Sequence, residues 1–164
     1  MSKEVKSNKK NRQENKEKGN NPPLLNSAHY IKDLSFENPG VLKSEMTHEE
    51  GPSLNIDIHV DVKPVAENIY EAVILLNIKA DVKGSTLFLI ELSYGGIFKV
   101  EESLSEKEKK RLLLIDSPSL LFPFARSIVA TVTRDGGLPP LLLNPVDFEA
   151  LSHQEVHTEE KTKH

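Results

Sequence analysis

Residues 86–102 read TLFLIELSYGGIFKVEE. The run has the leucine, isoleucine and aromatic content of a strand, yet Glu91 stands in its apolar middle and Gly95-Gly96 interrupts it. Side chains alternate across a strand. Phe88, Ile90, Leu92 and Tyr94 therefore share one side, and Leu87, Leu89, Glu91 and Ser93 share the other. The first set is wholly apolar or aromatic and marks the buried face. Glu91 then points outward and is not a buried charge. Gly95-Gly96 signals a bulge or a close backbone approach; the plainer alternative is a strand end, with IFKVE continuing after a kink.

The same alternation extends to the flanking segments. LNIDIHVDV (54–62) puts Leu54, Ile56, Ile58, Val60 and Val62 inward and Asn55, Asp57, His59 and Asp61 outward. IYEAVILLNIKADV (69–82) has an inner set from Tyr70 to Ala80 and an outer set of Glu71, Val73, Leu75, Asn77, Lys79 and Asp81. KGST (83–86) turns it into the opening stretch. HYIKDLSFEN (29–38) is a short strand with Tyr30, Leu34 and Phe36 inward and Asp33, Ser35 and Glu37 outward. Four strands in succession predict an antiparallel sheet. Its outer face gathers Asp33, Glu37, Asp57, Asp61, Glu71, Asp81 and Glu91 against Lys63 and Lys79, with Val73, Leu75 and Leu89 exposed among them. One reading is a solvated sheet face. The other is a docking face: like charges across a sheet repel, apolar side chains among them mark contact sites, and a cationic partner is steered to such a surface.

Helices follow the strands. SEKE (105–108) is a capping box with Ser105 as N-cap. SPSLLFPFARSIVATVTRDGG (117–137) reads as a long helix with Ser117 as N-cap, Pro118 at N1, Pro123 inside and Gly136-Gly137 as the stop. LPPLLLNPVD (138–147) is an extended connector, and a short helix begins near residues 145–148. PGVLKSEMTHEEGP (39–52) is a long polar connection. The fold class is α+β: a four-stranded antiparallel sheet followed by one long helix and a short C-terminal helix. Residues 1–26 read as a disordered basic N-terminal extension, 27–155 as the folded domain and 156–164 as a disordered tail.

The chain has 164 residues, enough for one domain with a core, and a net charge of −4. Residues 1–18 carry seven Lys/Arg and three Glu, a charge of +4; the remainder carries 14 Lys/Arg and 22 Asp/Glu, a charge of −8. An acidic body implies cationic partners rather than nucleic acid. There is no cysteine, which excludes disulfides, thiol catalysis and cysteine-ligated metals. No apolar run approaches the roughly 20 residues of a membrane span, and the N-terminus has no apolar h-region. His48-Glu49-Glu50 resembles the start of a zinc helix, but no second histidine follows at the right spacing. The outer-face acids lack the orienting partners of an acid/base pair. The reading is a protein that is not an enzyme, with no metal and no cofactor.

Three stretches, YIKDLSFENP (30–39), FLIELSYGGIFKVE (88–101) and SPSLLFPFARSIVATVTRDGGLPPLLLNPVDFEAL (117–151), together resemble the SecB protein-export chaperone family over about residues 28–152. The resemblance implies a cytoplasmic, ATP-independent chaperone that holds unfolded preproteins and delivers them to the SecA motor of the Sec translocase. It also implies a homotetramer, a dimer of dimers, with no direct membrane insertion. In the family the motor's basic, zinc-carrying C-terminal tail docks on an acidic sheet face, and the matching positions are Asp33, Glu37, Leu89 and Glu91. Family interface positions match Ile90, Leu92 and Tyr94, so association is expected to cover the inner apolar face. Candidates for client capture are Leu42, Met46, Leu54, Ile56, Phe148 and Leu151. The alternative function is a SecB-like chaperone for a non-export client such as a toxin–antitoxin pair.

Overall fold

The computed structural model describes residues 22–43 and 51–153. Its four strands are β1 (Leu24–Glu37), β2 (Ser53–Ala66), β3 (Ile69–Val82) and β4 (Ser85–Val100). They form one antiparallel sheet in the order β1-β4-β3-β2. β2 and β3 join through Glu67-Asn68, and β3 and β4 through Lys83-Gly84. Lys83 and Gly84 both have positive φ, 47° and 79°, as a two-residue hairpin turn matched to sheet twist requires. The 38–52 connection carries the chain from the β1 edge of the sheet to the β2 edge.

β1 starts five residues earlier than the sequence reading placed it. Leu24, Leu25 and Asn26 pair with Val100, Lys99 and Phe98, so the end of the stretch read as an extension belongs to the sheet. Pro22-Pro23 has no N–H to donate, which sets the start of the ladder just after it, and Leu24 rests against the core. Residues 1–21 and 154–164, which include most of the extension read as disordered (1–26) and all of the tail so read (156–164), lie outside the described residues.

The expected inner set of β4 is buried: Phe88, Ile90, Leu92 and Tyr94 are all 5% exposed or less. Gly95 and Gly96 serve the two faces separately. On the outer face Gly95 lies under the Tyr30 ring, where an added Cβ would stand 3.2 Å from a ring carbon. On the inner face a Cβ on Gly96 would stand 2.8 Å from Leu121 Cδ2 and 2.8 Å from the Phe98 ring. The close-approach reading of the pair therefore holds, while the register shifts lie elsewhere: in β1 between Asn26 and Ala28 and between Ile31 and Asp33, in β2 between Pro64 and Ala66, and where β3 meets β4 between Ala80 and Asp81. The second bulge corrects the inward assignment of Tyr30. Ile31 faces Tyr94 and Asp33 faces Ser93, so Lys32 is an extra residue that reverses the parity of 28–31, until the bulge between Asn26 and Ala28 restores it. Asp33, Ser35 and Glu37 keep their outward direction, and Tyr30 joins them.

The helical part begins with α1 (Glu106–Arg111), capped as expected: Ser105 N–H donates to Glu108 Oε2 at 2.9 Å, and Glu108 N–H donates to Ser105 Oγ. A π-helical turn, Leu112–Asp116, joins it without a break to α2 (Ser117–Asp135). Ser117 is consequently no N-cap. It is buried inside a continuous helix, its Oγ donating to Leu113 O at 2.6 Å. The widened turn accommodates Pro118, which lacks the N–H that the regular pattern would use. α2 crosses the inner face and buries Leu121, Phe122, Ala125, Val129 and Thr133 against it. Each large apolar side chain so buried contributes about 1.5–3 kcal/mol. The chain's own helix thus covers the inner face that association was expected to cover. By length and composition alone the continuous helix Glu106–Asp135 reaches what a bilayer crossing needs, which differs from the reading of short apolar runs; its apolar residues lie on both the packed and the exposed flank.

Beyond α2 the chain turns back. The buried Thr133 Oγ1 accepts the Leu141 N–H at 2.9 Å and ties the extended connector to the helix. A last helix, α3 (148–153), is capped by Asp147, whose Oδ1 accepts the Ala150 N–H at 3.0 Å. Replacing Gly96 by alanine puts a methyl into Leu121 and Phe98, so Gly96→Ala is expected to cost about 1–3 kcal/mol. Gly95→Ala meets only the edge of one movable ring and should cost less; urea unfolding of both variants measures the difference.

Candidate functional site

The outer face of the sheet is a surface built by register. Glu37 lies beside Leu89 and Ser35 beside Glu91 across β1 and β4, and Asp33 beside Ser93 one step further. Lys79 stands on the far side of Leu89, and Asn77 on the far side of Glu91. All four residues of the expected docking set, Asp33, Glu37, Leu89 and Glu91, are thereby brought into one patch. Asp33, Glu37 and Glu91 are exposed, Leu89 is half-buried, and none of the three carboxylates has an ion-pair partner among the described residues. Elsewhere on the face charge is answered locally: Lys79 lies 3.2 Å from Asp81, and Lys63 is 3.9 Å from Asp61.

Two outer-face assignments need correction. Glu71 is only 9% exposed and Val73 only 3%. Tyr30, turned outward by the β1 bulge, donates from its hydroxyl to Glu71 Oε1 at 2.5 Å and lies across Gly95, the β4 partner of Val73. Lys32 donates to both Glu71 oxygens, at 2.8 and 2.7 Å. The outer face therefore holds a third cation that alternation alone had hidden. Lys32, followed by the Tyr30 hydrogen bond, holds the Glu71 carboxyl below its ordinary value against the opposing effect of burial. The same Tyr30–Glu71 hydrogen bond, with burial, pushes the Tyr30 hydroxyl up to about 12.

The client candidates separate into two groups. Leu42 is 94% exposed on the 3₁₀ turn Val41–Lys43, and Leu54 and Ile56 are 41% and 39% exposed at the start of β2, an edge strand of the sheet among the described residues. Phe148 is instead 3% exposed and packs edge-on against Phe122 at 5.9 Å, so it is a core residue holding α3 to α2; Leu151 is half-buried beside it. Met46 and His48-Glu49-Glu50 lie outside the described residues. The proposed interface residues Ile90, Leu92 and Tyr94 are buried within the chain's own core. The apolar surface that α2 leaves to solvent is its other flank, with Leu120 51% and Phe124 45% exposed. Phe124 stacks on Tyr94 at 6.2 Å and lies tilted against His29 at 4.3 Å, linking that flank to the core beneath. Leu142, also exposed, was not singled out by sequence reasoning, because a leucine in an apolar connector carries no periodic signal of its side.

Comparison with known proteins gives one consistent result. The family model described as "Preprotein translocase subunit SecB" matches residues 17–159. A protein-export protein SecB from Paramagnetospirillum magneticum is 51% identical over 132 residues, covering 79% of this chain and 83% of the relative. Those from Sinorhizobium fredii and Bartonella quintana are 44% and 39% identical, each covering 87% of this chain and 84% and 90% of their own lengths. Among solved structures, a Mycobacterium tuberculosis SecB-like chaperone in complex with an antitoxin peptide superposes with a TM-score of 0.63 at 14% identity, covering 76% of this chain and 91% of that one, which is a likeness of fold.

The Tyr30–Glu71–Lys32 cluster has a defined pH signature. The Glu71 carboxyl is lowered from 4.5 in the folded chain, so its contribution to stability is complete above that value and is lost as pH falls through the lower, folded one. Glu71→Gln should be less stable than the parent by about 1–3 kcal/mol at neutral pH, and the gap should close on acidification below 4.5. Urea unfolding across that range measures it. In the same variant the Tyr30 hydroxyl should ionise well below 12, which alkaline absorbance titration reads directly.

Proposed function

The chain belongs to the SecB family and is a protein-export chaperone, not an enzyme; from that premise we propose how its surfaces divide the work. It holds unfolded preproteins without ATP in the cytoplasm and hands them to SecA. The acidic outer face, with Asp33, Glu37, Leu89 and Glu91, receives the motor's basic, zinc-carrying C-terminal tail. The observation that carries this reading is three exposed carboxylates on one sheet face, with Leu89 beside Glu37, that have no ion-pair partner among the described residues. Like charges so placed destabilise the sheet slightly in the free chain, and a cationic segment relieves them. Leu89, half-buried between Glu37 and Lys79, adds an apolar contact at one end of the patch.

Clients are captured on the other side and at the rim. Leu42, Leu54 and Ile56 offer apolar contact beside the open backbone edge of β2. An extended chain can pair with that edge while its side chains find leucine and isoleucine, a mode that tolerates many sequences. Leu151 adds to the apolar surface in this reading, while Phe148 serves it only by fixing α3. Copies associate into a dimer of dimers through the exposed α2 flank of Leu120 and Phe124, with Ile90, Leu92 and Tyr94 stiffening that flank from beneath.

Two measurements test the proposal. Binding of a peptide from the SecA C-terminal tail should weaken at least about tenfold in Glu91→Lys, while suppression of aggregation of an unfolded client stays unchanged; unaltered peptide binding would reject the docking face. Light scattering should give a mass four times the 18.4 kDa of one chain, shifting to smaller species in Phe124→Asp. A parent protein that runs as a single chain would rule out the assembly.

A further inference from the structure

The bulge at Lys32 does more than accommodate an extra residue. Without the bulge, regular pairing continued from Ile31 and Tyr94 would place residue 33 opposite Leu92 and turn Asp33, Ser35 and Glu37 toward the core. The outward direction of two of the three docking carboxylates therefore depends on where the bulge sits. Side-chain burial specifies that position weakly: the inner residues on either side of it, Ile31 and Leu34, are 49% and 36% exposed at the sheet edge. What grips the extra residue is a carboxylate two strands away. Lys32 Nζ bonds both oxygens of the nearly buried Glu71 on β3, and Tyr30, the residue before Ile31, bonds Oε1 as well. Both reach over β4, which Gly95 leaves flat for the ring. Exposed ion pairs are worth little, but a desolvated carboxylate that accepts from two donors on one strand fixes those donors in place.

We propose that Glu71 is a positioning residue for the acidic docking face: by holding Lys32 and Tyr30 it pins the β1 bulge and keeps Asp33 and Glu37 in phase with Glu91. The inference rests on the docking role given above. Glu71 itself, beneath the Tyr30 ring and on β3, needs no contact with the partner.

The test compares the full-length parent, Glu71→Gln, Lys32→Met, the exchange Lys32→Glu/Glu71→Lys, and Glu91→Lys, using the same basic tail peptide. Circular dichroism checks folding, and Lys32→Met serves if Glu71→Gln does not fold. Glu71→Gln should weaken the peptide about tenfold, the scale of one charge-assisted hydrogen bond, leave client holding intact, and speed amide exchange at 33–37 but not in β3 or α2. The exchanged pair should recover binding and protection. Weaker binding with unchanged amide exchange would mean that freed Lys32 merely competes by charge, and overturns the positioning role. Parent-like binding in Glu71→Gln, with loss in Glu91→Lys, overturns it too while leaving the docking face standing. Parent-like binding in Glu91→Lys removes the docking face itself.

Discussion

Two bodies approach β4 at adjacent residues from opposite sides, and the arrangement depends on there being no side chain at either point. The Tyr30 ring lies over Gly95 on the outer face, and Leu121 of α2 presses on Gly96 from the inner one. Because neighbouring residues of a strand point in opposite directions, a consecutive glycine pair opens both faces at the same level. One opening lets the long helix lie close enough to seal the core. The other lets a residue of β1 reach a carboxylate on β3. The core and the outer-face network are thus joined through two missing methyl groups.

This sidedness suits a chaperone. A protein that receives apolar, unfolded chains must keep apolar surface available without aggregating itself. Here the apolar surface is distributed at edges, on the α2 flank, on the 3₁₀ turn and at the start of β2, while the broad outer face is polar and acidic. Large contiguous apolar patches invite self-association, whereas an acidic sheet resists it and selects cations. Glu71 shows the cost of combining the two. Its burial is compensated by Lys32 and Tyr30, so the carboxylate that organises the face is withdrawn from it, and the exposed Asp33, Glu37 and Glu91 have no ion-pair partner among the described residues.

Much of this was legible in the residues alone. Alternation placed Phe88, Ile90, Leu92 and Tyr94 inside and Leu89 and Glu91 outside, and β3 spans the residues that its pattern marked. The Ser105–Glu108 box was read from four letters, because capping is a local exchange of hydrogen bonds. Most of the failures trace to two irregularities. Tyr30 reads as inward because a regular period is extended through the extra residue at Lys32; Glu71 and Val73 do point outward, but Tyr30, brought over by that bulge, covers them; and the local Ser117-Pro118 cap signal lies inside a helix that a widened turn makes continuous. Phe148 failed differently: its environment is Phe122, distant in sequence, and no local pattern reports that.

The sequence by itself determined that there are four strands, the capped helix start at Ser105 and the stop at Gly136-Gly137, the faces of β3 and β4 and the collection of acids on one side, since all of these follow from a period of two and from nearest-neighbour hydrogen bonding. Only the tertiary structure decided the order β1-β4-β3-β2, the cover that α2 gives the inner face and the phase of β1 across its bulge. Those depend on pairings between residues far apart in the chain, whose free energy comes from surfaces that meet only once the sheet has closed.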